Sequence, residues 1–121
     1  GARPVRLHAY WDGLLLDSPR FADVAAAARA LLERPTLRRE RLSELAETAF
    51  AQWARAESFP LGRNVAYQAG SLPGTAVRPG MPMPESAPLL PDGYAERARR
   101  LAERRAALAG YRLADVLGGM L

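Results

Sequence analysis

The apolar residues of this chain recur at three- and four-residue intervals, and prolines cut that pattern into separate stretches. The period is that of one stripe along a helix, and no alternating stretch of strand length competes with it. The expected fold class is all-α, a bundle or array of about four to five helices. His8 to Leu16 is a short apolar run behind Pro4, a residue suited to a first helical turn. Ser18-Pro19 reads as an N-cap followed by proline at N1, after which Phe21, Val24, Ala25, Ala28, Leu31 and Leu32 keep one face until Pro35 stops it. Thr36 can cap a third helix, in which Leu42, Leu45, Ala46, Ala49, Phe50, Trp53 and Ala54 share a stripe. Pro60 breaks or kinks that helix, and a shorter piece continues toward Tyr67.

Six of the ten prolines lie between Pro73 and Pro91, with Gly74 and Gly80 among them. An irregular loop over about 71–91, wrapped on the surface, is expected there. Asp92 then caps a final helix over about 92–118, with Tyr94, Ala98, Leu101, Leu108, Leu113 and Leu117 near one stripe. Gly110 interrupts it at a cost near 1 kcal/mol relative to alanine.

Composition bounds the chemistry. The 121 residues make about one domain. Hydrophobic residues at 49% suffice for a core, and 25% charged residues with a net charge of +4 fit a soluble chain. No apolar run approaches the roughly 18–20 residues of a membrane span, so no membrane partner is expected. The absence of cysteine excludes disulfides, thiolate metal sites and cysteine catalysis. All 17 basic residues are arginine and isoleucine is absent, which fits a GC-rich coding bias. The chain has no G-x-S-x-G elbow, no phosphate-cradling glycine loop and no second histidine for a triad. No catalytic residue and no organic-cofactor site is assigned.

One constellation remains. His8 and Asp12 stand four apart, so on a helix they share a face and can converge on one metal ion. Zinc suits such a nitrogen and oxygen pair. A histidine and an aspartate so placed also form a plain hydrogen-bonded pair on a helix face. Two ligands are not a catalytic zinc site, which takes three, and Asp17, Asp23 or Glu57 could join only through the fold. Two arginine clusters, Arg38, Arg39 and Arg41, and Arg97, Arg99, Arg100, Arg104 and Arg105, could track a phosphate backbone. Glu40, Glu44, Glu96 and Glu103 are interleaved, so these read as solvated helix faces. Trp53 continues the apolar stripe, and Glu57, one turn on, is expected half-buried with a polar partner.

Several segments, in order, resemble one family. Leu7-His8-Ala9-Tyr10-Trp11-Asp12 is similar to the N-L-H-x-x-W-D segment of the single-strand-specific zinc nucleases of the S1/P1 type, with Arg6 where members often carry asparagine. Trp53-Ala54 with Glu57-Ser58 resembles their tryptophan–alanine, glutamate–serine segment, and Gly110-Tyr111-Arg112-Leu113-Ala114 their G-x-R-L-A segment. Leu90-Pro91-Asp92-Gly93-Tyr94 resembles the entry to their last helix, and Tyr67-Gln68-Ala69-Gly70 matches a Y-x-x-G region loosely.

The resemblance implies an all-α fold related to zinc-dependent phospholipase C. It implies hydrolysis of phosphodiesters in single-stranded DNA and RNA, often with 3′-nucleotidase activity, at a cleft lined by three zinc ions. It makes His8 and Asp12 zinc ligands, helping to hold one zinc together with a histidine from upstream. Members are typically secreted or periplasmic. Their N-terminal tryptophan, whose amine binds zinc, and several further histidines and aspartates have no counterpart here. Residues 1–121 are accordingly expected to be the C-terminal portion of one nuclease domain, inactive alone and completed by a missing N-terminal portion. Such a portion, isolated, is expected to self-associate through uncovered apolar surface. The competing readings are a non-catalytic helical interaction module and a basic nucleic-acid-binding module.

Overall fold

A long C-terminal helix organises the molecule. The computed structural model describes residues 5–72, 80, 82 and 87–121. In chain order they form α1 (Leu7–Asp12), α2 (Phe21–Leu32), three short 3₁₀ turns (Pro35–Leu37, Arg39–Arg41 and Ser43–Ala46), and a helical run that alternates in register. That run comprises α3 (Phe50–Gln52), a π segment (Trp53–Ser58), α4 (Phe59–Leu61) and a second π segment (Gly62–Ala66). A 3₁₀ turn at Gln68–Gly70 follows, and α5 (Tyr94–Gly119) ends the chain. The all-α class holds, with no strand among the described residues. Much of the expected loop over 71–91, namely 73–79, 81 and 83–86, lies outside them.

α5 has 26 residues, so it is about 39 Å long. It supplies half of the buried apolar residues found among the described ones. Tyr94 and Ala98 in its N-terminal half and Leu108 in its C-terminal half are buried, and Leu37, Leu42 and Leu72 come from the preceding part of the chain. Tyr94, Ala98 and Leu72 form a cluster against which Leu7, Tyr10, Trp11 and Leu14 pack. Those four positions follow the i, i+3, i+4, i+7 pattern of one face of α1 and its continuation. Leu72 reaches the cluster because the chain reverses at Gln68, Ala69 and Gly70, all at positive φ (50°, 54° and 95°). The Gln68 side chain steadies this reversal by donating to the Val65 carbonyl at 2.8 Å.

Three sequence expectations are corrected. The first concerns the helix from Thr36. Residues 35–46 form 3₁₀ turns instead, and the backbone is extended at Glu47 and Ala49. Side chains take over the bonds that a helix would have made there: Glu47 Oε1 accepts from the Ala49 N–H, and the Trp53 indole N–H donates to the Glu47 carbonyl, both at 2.8 Å. Past Pro60 the helical run continues to Ala66, in line with the shorter piece expected toward Tyr67. Pro60 sits in the single α turn between two π segments, where the change of register absorbs a residue without an N–H. The second correction concerns caps. α2 starts at Phe21 with Arg20 at its N-cap, and Ser18 instead donates to Asp23 at 2.6 Å. α5 starts behind Gly93, not Asp92; Gly93 is left-handed at φ 73°.

The third correction concerns burial. Phe21, Val24 and Leu32 of α2 are exposed, and α2 has no buried residue. Leu113 and Leu117 of α5 are also exposed, while Glu103 and Arg112 are buried on that helix. The amphipathic pattern was legible, but pattern alone does not supply a partner. Among the described residues, no helix is long and apolar enough to cross a membrane.

Candidate metal site

The site begins with α1. Six residues are too few to hold a helix in water by themselves. Leu7, Tyr10 and Trp11 provide the missing stability by packing on α5. Trp11 sets its indole edge-on to the Tyr94 ring, 6.2 Å between centroids, and Tyr10 lies 6.1 Å from the same ring. The Trp11 indole N–H donates to the Tyr94 hydroxyl at 2.8 Å, and that hydroxyl donates to the Ala66 carbonyl at 2.7 Å. Burial pushes the Tyr94 hydroxyl above its ordinary pKa, so it stays a proton donor. Just past α1, Arg99 donates to the Leu14 carbonyl at 2.7 Å.

His8 and Asp12 follow Leu7 and Trp11 by one residue, about 100° round the helix axis. Their side chains therefore leave the packed face and reach solvent, at 86% and 68% exposure. His8 Nε2 stands 3.1 Å from Asp12 Oδ2. Two ligands at about 2.0–2.1 Å from a tetrahedral zinc are about 3.3 Å apart, so the pair has the donors and the separation of one edge of such a site. In this structure the two side chains stand in direct polar contact at 3.1 Å. The residues fit zinc as two of its ligands. Among the described residues no group of three or more His, Cys, Asp or Glu side chains gathers to hold a metal. Asp23 is engaged by Ser18, and Glu57 is engaged elsewhere.

Glu57 belongs to a second cluster. Its carboxylate accepts from both Nη atoms of Arg112, at 2.8 and 2.7 Å, and from Arg105 at 2.6 Å. Arg112 also donates to the Glu44 carbonyl at 2.8 Å and stacks 4.3 Å over the Trp53 ring. These bonds, Arg112 first, hold the Glu57 carboxyl down at about 2 despite the opposing effect of burial. The half-buried glutamate expected from the sequence is there, and its partner is an arginine 55 residues away. Beside it, Arg104 grips the Glu44 carboxylate at 2.6 and 2.7 Å.

The arginine clusters are thus more than solvated faces. Arg99 and Arg34 meet Glu103, Arg100 meets Glu96, Arg104 meets Glu44, Arg105 meets Glu57, and Arg39 meets Asp115. Most of these pairs join α5 to earlier elements. Sequence reading missed this because arginine and glutamate at helix spacing satisfy one another locally just as well. The one available signal was the count: α5 carries more arginines than its own carboxylates can pair.

The segments that resemble the nuclease family now turn out to touch one another. Glu57 of one grips Arg112 of another, and Trp11 of the histidine–aspartate segment bonds to Tyr94 at the entry to the last helix. In agreement, the family model for S1/P1 nuclease matches residues 1–121, the whole chain. The chain belongs to the S1/P1 nuclease family. It is a member of a family of nucleases, hydrolases whose substrate is nucleic acid. No curated protein and no solved structure matches it.

Proposed function

We propose that this chain is the C-terminal portion of a zinc-dependent endonuclease and 3′-nucleotidase that hydrolyses phosphodiester bonds of single-stranded DNA and RNA. In this reading His8 and Asp12 supply two ligands of one zinc, and the remaining ligands of a three-zinc centre come from an N-terminal portion. The observation that carries it is the His8–Asp12 pair. An imidazole nitrogen and a carboxylate oxygen stand 3.1 Å apart, open to solvent, on a helix anchored from behind, in a chain of a nuclease family.

Zinc bound there would supply Lewis-acid polarisation and activation of water. This chain's own part is to hold the two ligands in register. Asp12 would donate a carboxylate lone pair to the metal beside His8 Nε2, 3.1 Å from its Oδ2. Trp11, Tyr10 and Leu7 pack against the Leu72, Tyr94 and Ala98 cluster behind α1. The net charge of +4 favours approach of a polyanion. The site of action is outside the cell or in the periplasm, a reading that rests on the family resemblance.

His8→Ala in the full-length protein tests the assignment. Metal analysis should show the loss of one zinc equivalent, and cleavage of single-stranded DNA should fall sharply. Unchanged zinc content and activity would reject it. The basic-module reading is less well supported, because Arg39, Arg99, Arg100, Arg104 and Arg105 already meet carboxylates within the chain.

A further inference from the structure

The hydroxyl of Tyr94 lies at a junction. It accepts the Trp11 indole N–H from α1, donates to the carbonyl of Ala66 at the end of the second π segment, and belongs to the first residue of α5. Tyr94 is 1% exposed, so its hydroxyl is largely shielded from water. Three separate elements are therefore tied through one oxygen atom.

We infer that Tyr94 is a positioning residue for the metal-ligating pair, setting the rotation of α1 about its own axis through the indole N–H of Trp11. The inference rests on the reading of His8 and Asp12 as zinc ligands.

The geometry gives the reason. α1 has no side-chain cap at its N-terminus and no charged residue that favours its start. Its shape is held by packing on one face, and packing of Leu7, Tyr10 and Leu14 alone is non-directional. The Trp11 bond to Tyr94 is the one directed side-chain bond from α1 to the core among the described residues. Asp12 follows Trp11 directly and His8 lies one turn before Asp12, so any rotation of Trp11 carries both ligands with it. Ligand atoms sit about 6 Å from a helix axis, so a rotation of about 10° moves them by about 1 Å. A ligand set displaced by that much no longer matches metal–ligand distances that tolerate about 0.2 Å.

Arg99, bonded to the Leu14 carbonyl beyond the helix end, limits translation of the segment but lies outside the turn that carries the ligands. The Tyr94 bond acts within that turn.

The test compares Tyr94→Phe with wild type in the full-length protein. The phenylalanine keeps the ring and its packing and removes only the hydroxyl. Zinc affinity is read by competition with a chromophoric chelator. Coordination geometry is read from the visible absorption of the cobalt(II)-substituted protein, a signal that a purely structural role would leave in place. The expected result is about tenfold weaker binding of one zinc and an altered cobalt spectrum, with helical content retained. Trp11→Phe, which removes the donor and leaves the Tyr94–Ala66 bond, should do the same, and it carries the test should Tyr94→Phe fail to fold. Wild-type affinity and spectrum in the folded variant overturn the inference. His8→Ala, measured alongside, separates the two ideas. If it loses a zinc while the Tyr94 and Trp11 variants keep theirs, the positioning role alone is wrong. If it loses none, the zinc assignment is wrong and this inference falls with it.

Discussion

Arg112 and Glu57 face each other through two parallel hydrogen bonds, Nη1 to Oε2 at 2.8 Å and Nη2 to Oε1 at 2.7 Å. The side chains are 7% and 14% exposed, so water screens the pair little. The guanidinium is further fixed by the Trp53 ring on one face and the Glu44 carbonyl at its edge. The clasp joins α5 to the π segment Trp53–Ser58 and to the 3₁₀ turn before it.

Removing one partner strands a buried charge. Glu57→Gln should destabilise the fold by about 3 kcal/mol, read as a lower midpoint in chemical denaturation. Arg112→Lys should also weaken it, because an ammonium cannot make the two parallel bonds. Asp115→Asn is the contrasting case. Its pair with Arg39 is about half exposed, and its loss should leave the midpoint indistinguishable from wild type. An Asp115→Asn effect as large as that of Glu57→Gln would show that burial is not what gives the clasp its strength.

The same clasp sets an acid limit. The folded Glu57 carboxyl is held at about 2, below its ordinary value of 4.5. A depressed carboxyl contributes stability above the unfolded value and loses it as pH falls through the folded one. The contribution is therefore complete above about pH 5, declines below that and is gone near pH 2, a total of about 3 kcal/mol. Unfolding free energy measured from pH 7 to pH 2 should fall less steeply in Glu57→Gln than in wild type. Parallel curves would exclude Glu57 as a principal source of acid sensitivity.

Two glycines, one at the N-cap of the last helix and one within it, should respond in opposite directions. A Cβ at Gly110 would meet nothing within 4 Å, so Gly110→Ala should stabilise the protein by about 0.5–1 kcal/mol. Gly93 lies at φ 73°, and a Cβ there would come within 2.7 Å of an Arg97 Nη atom. Gly93→Ala should cost about 1–2 kcal/mol from the left-handed backbone alone. Thermal unfolding of the two variants gives the sign directly, and a stabilising Gly93→Ala would contradict the account of how α5 begins.

Metal removal should separate activity from fold. Chelation should abolish nuclease activity of the full-length protein and added zinc should restore it. α1 should remain packed throughout, because its anchor is Trp11 on Tyr94 and not the metal. Asp12→Asn should reproduce the loss of one zinc with near-native stability, since the His8–Asp12 pair is largely exposed. Metal analysis together with the denaturation midpoint checks both halves. A large fall in stability would mean that the pair braces the fold and not a metal.

The sequence by itself determined the helical class, the three helices at 7–12, 21–32 and 94–119 to within a few residues, and the candidate pair His8 and Asp12. Each of these rests on local spacing: a stripe at helical period, or two side chains one turn apart. Local spacing could not reveal where the stripes would find partners. Phe21 and Leu117 fit the pattern as well as Tyr94 does, yet they are exposed while Tyr94 is buried. Nor could it foresee that residues 35–49 would abandon a helix they could have formed. There Glu44 gains bonds to Arg104 and Arg112 across the molecule, while Glu47 bonds locally to the Ala49 N–H and the Trp53 indole. Only the tertiary structure decided those matters. A long arginine or glutamate side chain has similar local options on any helix face, and the choice among them is made by which buried partner the fold brings within reach.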